Sequence, residues 1–205
     1  MKFRPSLVIL QIMIVTLLCL TTLPQSLAFR YYSDWASYPI NISVDENGLT
    51  SILDDDHGVT ATIQAITAKK AWNGAIAGII TAQAAKVQGI SGDGRVTINF
   101  RDPDSICSGT CIATTVPLVS ESHYIIDADI FTNVTVAFTS KEETDGCAEE
   151  FAIEAIMVHE VGHVLGLLHA LKVSSTMYAT TYYCLDQKAA ITRDDAKGIL
   201  ALYQP

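Results

Sequence analysis

The run His159-Glu160-Val161-Gly162-His163-Val164-Leu165-Gly166-Leu167-Leu168-His169 constrains this chain more than any other stretch. Four residues separate His159 from His163. On a helix that spacing puts both rings on one face, one turn apart, so both can reach one ion. Zinc takes histidine nitrogens at about 2.0–2.1 Å, and a catalytic site needs three protein ligands plus a water. The third ligand cannot come from a straight continuation of the helix. Gly166 solves this, because glycine enters the left-handed region without steric cost and commonly ends helices. A reversal there lets His169 complete a three-histidine site. Glu160 lies about 100° around the helix from His159. It is therefore placed beside a metal-activated water rather than on the metal, where it acts as a general base.

The helix around the motif is expected over about 148–165. Glu149 and Glu150 fall in its first turn, favourable for the dipole, and Phe151, Ile153, Ala155, Ile156, Val158, Val161 and Val164 are spread around its circumference. A helix apolar all round is a buried one. Two histidines and a glutamate there cost stability unless they have partners, and a metal supplies one. His57 and His123, which share no such spacing, are expected to be ordinary core histidines.

HExxHxxGxxH resembles the signature of the metzincin zinc endopeptidases. Ser175-Thr176-Met177-Tyr178 is similar to the Met-turn that lies beneath the zinc in that clan. The stretch 191–203 resembles the closing helix of the matrixin branch; Ala71-Trp72-Asn73 and Asp127-Ala128-Asp129-Ile130-Phe131 resemble its first helix and the strand bordering its cleft. The resemblance implies an α/β fold: a mixed, mainly parallel twisted sheet with helix 59–75 and the active-site helix packed on it. A small C-terminal subdomain would carry His169, the Met-turn and the last helix. It also implies zinc on His159, His163 and His169, Glu160 as the catalytic base, and Met177 as a structural base rather than a ligand. The cleft strand, in 105–131, would pair its outer edge with an extended substrate.

The departures are informative. The chain has no PRCGxPD-type cysteine switch and lacks the His/Asp cluster that binds a structural zinc in animal matrixins. Ala170 follows the third histidine, where branches of the clan carry their distinguishing residue, and Met177-Tyr178 lacks the Met-x-Tyr spacing of astacins and serralysins.

Residues 1–28 read as a secretory signal peptide: basic Lys2 and Arg4, an apolar stretch from Leu7 to Leu23, and Ser26-Leu27-Ala28 as the cleavage site. The rival reading is an uncleaved membrane anchor over residues 6–23. Residues 29–205 then form one catalytic domain. Cleavage removes Lys2 and Arg4 and no acid, moving the net charge from −9 to −11. That argues against nucleic acid or an anionic membrane as partner. It is compatible with calcium, although no EF-hand loop is present, and Asp54-Asp55-Asp56, Asp93, Asp102 and Asp104 read as solvated loop carboxylates. The expected state is a secreted monomer acting on protein or peptide substrates.

Four cysteines remain, Cys107, Cys111, Cys147 and Cys184, an even number that suggests two disulfides in an exported chain. Three pairings exist; Cys107–Cys111 with Cys147–Cys184 is favoured, the second tying the start of the active-site helix to the segment after the Met-turn. Asn41 and Asn133 head glycosylation sequons.

Along the chain, strands are expected at 39–44, 96–100 and 123–131, the last continuing or hairpinning into 134–138. The stretch 76–88 is ambiguous between helix and strand. Thr192 with Asp195 forms a capping box for a last helix whose apolar face is Ala196, Ile199, Leu200 and Tyr203. Residues 170–183 would form the specificity pocket, and their apolar, tyrosine-rich content predicts a hydrophobic one. The readings to set against a secreted endopeptidase are a catalytically inactive zinc-binding adhesion or recognition module, and a narrow-specificity peptidase held at the membrane.

Overall fold

The computed structural model describes residues 29–47, 57–86, 92–140 and 147–204, and of His57 the backbone alone. The signal-peptide and anchor readings of residues 1–28, and Asp54-Asp55-Asp56, lie outside these residues.

Two short strands open the chain, β1 (Arg30–Tyr31) and β2 (Asp34–Trp35), followed by β3 (Ile40–Asp45), α1 (His57–Thr67), β4 (Ile80–Ala85), β5 (Val96–Asn99), β6 (Ala113–Val119) and β7 (Tyr124–Thr132). Strand β3 pairs in parallel with β4 and β5, β5 with β7, and β2 with the start of β7. In this sheet, among the described residues, only β6 runs antiparallel, along β7. The sheet is thus mixed and mainly parallel. Ile40, Ile42 and Val44 of β3, Val96 and Ile98 of β5, and Ala128 and Ile130 of β7 enter one apolar core with Ile66 of α1 and with Met157, Val158 and Val161 of the next helix. Period-two alternation on the strands and i, i+3, i+4 spacing on the helices generate these facing apolar surfaces.

Helix α1 stops at Thr67, earlier than expected, and a separate 3-10 turn spans Trp72–Gly74. Asn73 accounts for the break. Its side-chain amide donates to the Thr67 and Ile80 carbonyls, and its oxygen accepts from Ile80 N–H, so it ends the helix and starts β4 together. A Cβ on Gly74 would stand 2.1 Å from the Lys69 carbonyl oxygen, a close approach only glycine permits.

The active-site helix α2 spans Ile153–Val164 and not 148–165. Before it, β9 (Phe151–Ala152) pairs in parallel with β8 (Phe138–Thr139), and Glu149 has a positive φ of 54°. The Glu150 carbonyl accepts from Cys184 N–H beside the Cys147–Cys184 disulfide. These ties hold 147–152 extended, so Glu149 and Glu150 lie outside the first turn, where Glu154 is the acid. The helix buries Ile153, Ala155, Ile156, Met157, Val158, Val161 and Val164, as an all-round apolar helix should.

The C-terminal part holds β10 (Leu167–Leu168), which pairs with β1, an irregular stretch with a 3-10 turn at Gln187–Ala189, and α3 (Arg193–Tyr203). Thr192 and Asp195 form the expected capping box. Ile199 is buried, whereas Leu200 is exposed, so the packed face is narrower than its sequence suggests. Both the Cys107–Cys111 and Cys147–Cys184 pairs are disulfide-bonded.

Three further expectations are corrected. His123 is not a core histidine; it is exposed in a tight turn with φ 65°. Asp102 is buried rather than solvated, accepting from Ile106 and Cys107 N–H to shape the small disulfide loop. Asn133 is also buried, its amide donating to the Gly109 and Cys111 carbonyls, so the acceptor side chain of that sequon is engaged within the fold although Val134 and Thr135 are exposed, while Asn41 is exposed.

Candidate active site

Helix α2 carries His159 and His163 one turn apart. It ends at Gly166, which takes φ 96°. A Cβ there would lie 1.8 Å from the Ser33 carbonyl oxygen, so the N-terminal segment crosses the helix end at contact distance. That segment is strapped on by Tyr32 N–H to the Gly166 carbonyl, the Tyr32 hydroxyl to the His163 carbonyl and Trp35 Nε1 to the Val164 carbonyl. The chain then reverses through β10 and returns His169 to the two helical histidines.

One nitrogen from each of His159, His163 and His169 lies within 4.8 Å of the others. His163 Nε2 and His169 Nε2 face each other at 3.2 Å. Ligand nitrogens about 2.0–2.1 Å from a shared tetrahedral centre stand roughly 3.3 Å apart, so the donor set fits zinc. The far nitrogens are fixed by carbonyls: His159 Nδ1 donates to Thr176 O and His163 Nδ1 to Leu167 O, both at 2.7 Å. Such bonds set the tautomer and leave Nε2 free for a metal. Burial, with the charge of His163 adding to it, pushes His159 down to about 3. The ring is neutral at ordinary pH, as a ligand must be.

Glu160 stands outside this trio. Its carboxylate is buried and accepts from the Thr115 hydroxyl at 2.7 Å, and the same hydroxyl also reaches the Glu160 carbonyl oxygen. Burial raises the Glu160 pKa, while His163 and the Thr115 hydrogen bond oppose the rise. Thr115, on β6, was not picked out by sequence. Only the alternation of β6 would have pointed to it, and that alternation is weak.

Met177 is buried against α2. A Cβ on Gly162 would lie 2.2 Å from Met177 Sδ and 2.7 Å from Trp72 Cζ2, so the glycine between the two helical histidines lets the segment of Met177 close up on α2. Asp195 fixes the turn from α3. It accepts from the Ser175 hydroxyl, Thr176 N–H, Thr192 N–H and the Thr192 hydroxyl. The capping residue of the last helix therefore also holds the segment whose Thr176 carbonyl orients His159.

Two cavities flank the trio. One, of about 210 Å³, is lined by Ala155 and Ile156 of α2, by Ala113, by Tyr178–Thr181, by His159, Glu160 and His169, and by Lys188. The other opens on the far side, beside His163, Thr115, Pro117 and Leu168. The first is less apolar than expected: Tyr182 is exposed, Tyr183 packs its ring on Phe151, and only Tyr178 of the three tyrosines lines it.

The model of the matrixin peptidase family matches residues 46–204. The chain belongs to the matrixin family. Its mixed sheet and the three α-helices of the described residues are consistent with the matrixin fold. Among characterised proteins it is similar to human matrix metalloproteinase-20, with 42% identity over 55 residues, 27% of this chain and 11% of that protein. It is also similar to two Arabidopsis thaliana proteins: metalloendoproteinase 1-MMP, 40% identical over 53 residues (26% and 14% of the two chains), and metalloendoproteinase 2-MMP, 36% identical over 77 residues (38% and 17%). The matrixin thus matches less than a fifth of the length of each of these relatives.

Proposed function

We propose that this matrixin is a secreted zinc endopeptidase in which His159, His163 and His169 hold the metal and Glu160 is the general base. The observation that carries the reading is the trio itself: three imidazoles converge with one nitrogen of each within 4.8 Å of the others, and a buried carboxylate that is not one of them is held by Thr115 beside it. When bound, zinc would acidify a water and polarise the scissile carbonyl.

Glu160 accepts the proton of the attacking water and passes it to the leaving amine nitrogen. Its raised pKa suits both halves of that transfer, since a weaker acid is a stronger base. Thr115 orients the carboxylate. The outer edge of β6 has no strand partner among the described residues. An extended peptide can add there by main-chain hydrogen bonds, laying its scissile bond across the trio. The intact Glu160 favours an enzyme over an inactive recognition module. Two disulfides suit an oxidising compartment and so the secreted reading. Residues 29–205 act as a monomer, and Met177 serves as a packed floor.

The test is cleavage of an unfolded protein by the purified 29–205 chain with and without a chelator. Chelation should abolish cleavage, and one equivalent of zinc should restore it. Undiminished cleavage by metal-free protein would refute the reading.

A further inference from the structure

The cavity beside His159 contains a charge that the reaction does not use. Lys188, from the 3-10 turn before α3, is partly buried in its wall. Its Nζ donates to the Thr180 carbonyl at 2.6 Å and lies 5.1 Å from the centre of the Tyr178 ring. An ammonium has three donors, and the carbonyl accounts for one. No carboxylate of the described residues lies within 4.0 Å of it. Asp195 is the acid whose field it feels, but that carboxylate is engaged by Ser175, Thr176 and Thr192. Partial burial lowers the Lys188 pKa, which marks a cation that has lost water without gaining an ion-pair partner. Glu160 is the one carboxylate among the described lining residues, and Thr115 engages it.

The direction of the substrate follows from β6. That strand runs from Ala113, at the Lys188 cavity, to Pro117, at the other cavity. Antiparallel pairing is the stronger ladder. A peptide added antiparallel to β6 lays its N-terminal half towards Pro117 and its C-terminal half towards Ala113. The first residue on the leaving side of the scissile bond then drops its side chain between α2 and residues 178–181. The cavity has the volume of roughly seven waters, room for one side chain. Ala155 and Ile156 in its lining are apolar enough for methylenes, and Lys188 brings the ammonium to the same lining.

We propose that Lys188 makes this enzyme select glutamate or aspartate as the first residue on the leaving side of the cleaved bond. The inference rests on the endopeptidase reading above and deepens it. A carboxylate entering the cavity gains a charge-assisted hydrogen bond in a partly desolvated site, whereas a leucine strands the ammonium and a lysine meets a like charge.

The test has two arms. In the first, zinc-loaded wild type, Lys188→Met and Lys188→Glu are given quenched peptides that differ only in having Glu, Leu or Lys at that position. Ratios of kcat/KM are compared within each protein, so a general loss of activity cancels. Wild type should favour Glu over Leu about tenfold or more, Lys188→Met should lose that preference, and Lys188→Glu should turn it towards Lys. In the second, a Glu160→Ala protein that still holds zinc is titrated with product-like peptides beginning with Glu or Leu, and the Glu peptide should bind about tenfold tighter. A wild type that favours leucine, a glutamate preference that survives Lys188→Met, or equal binding of the two products overturns the inference. Absent cleavage with the binding preference intact overturns the endopeptidase reading and leaves the pocket assignment standing.

Discussion

Replacing Gly166 with alanine isolates the device that returns His169 to the helix. Two costs are readable. Gly166 has φ 96°, where an L side chain pays about 1–2 kcal/mol. The new Cβ would stand 1.8 Å from the Ser33 carbonyl oxygen, and a backbone atom cannot swing aside as a side-chain tip can. Segment 32–35 must lift, straining the bonds from Tyr32 N–H to Gly166 and from Trp35 Nε1 to Val164. Forced displacement in a packed region costs about 1–3 kcal/mol. The two together predict a loss of about 2–5 kcal/mol, and at roughly 2–4 °C per kcal/mol for a chain of this size Tm should fall by on the order of 10 °C. Zinc affinity should fall as well, because β10 and His169 follow directly. Calorimetry of the zinc-loaded and metal-free variant, with a competitive zinc titration, measures both. A variant within 0.5 kcal/mol of wild type, with unchanged zinc affinity, would refute the account of how the helix end builds the site.

Gly162→Ala should destabilise by about 1–2 kcal/mol although alanine favours helix by roughly 1 kcal/mol, because contact with Met177 and Trp72 outweighs propensity; denaturant unfolding of the single variant and of its double with Met177→Ala should show a coupling that partly rescues it. Asp195→Ala leaves the Ser175 hydroxyl and the Thr176 and Thr192 amides without their acceptor. It should cost about 3 kcal/mol by thermal unfolding and weaken zinc binding about tenfold or more through the Thr176 carbonyl that orients His159. Asp129 is pushed up to about 6, chiefly by burial, with Asp127 and Asp93 adding and Thr97 opposing. The folded state then binds the extra proton between about pH 4 and 6, so stability falls as pH rises through that window, by at most about 3 kcal/mol. Asp129→Asn should flatten that part of the urea-midpoint profile, and an unchanged profile would contradict the assignment.

The parts of the site that sequence made legible are those fixed by local spacing. His159, His163, Gly166 and His169 lie within 11 residues, and helical spacing followed by a glycine reversal constrains their relative positions. The Thr192–Asp195 cap is legible for the same reason. The strands were readable where one face is buried, as in Ile40, Ile42 and Val44, whereas Ile80–Ala85 was ambiguous because small residues alternate weakly. What stayed hidden was set by contacts distant in sequence. The late start of α2 comes from the Cys147–Cys184 bridge and the pairing of β8 with β9. The early end of α1 comes from Asn73 reaching Ile80. Thr115 meets Glu160 across 45 residues, and the segment 30–35 meets the end of α2 across more than 120. Lys188 enters the pocket wall from a turn with no sequence pattern of its own.

The most direct measurement is proteolysis by Glu160→Ala beside wild type, with zinc content determined on both samples. The account predicts one zinc in each, and cleavage by wild type alone. Equal cleavage by the two proteins, or loss of zinc from the variant, would contradict the assignment of Glu160 as a base that stands apart from the metal.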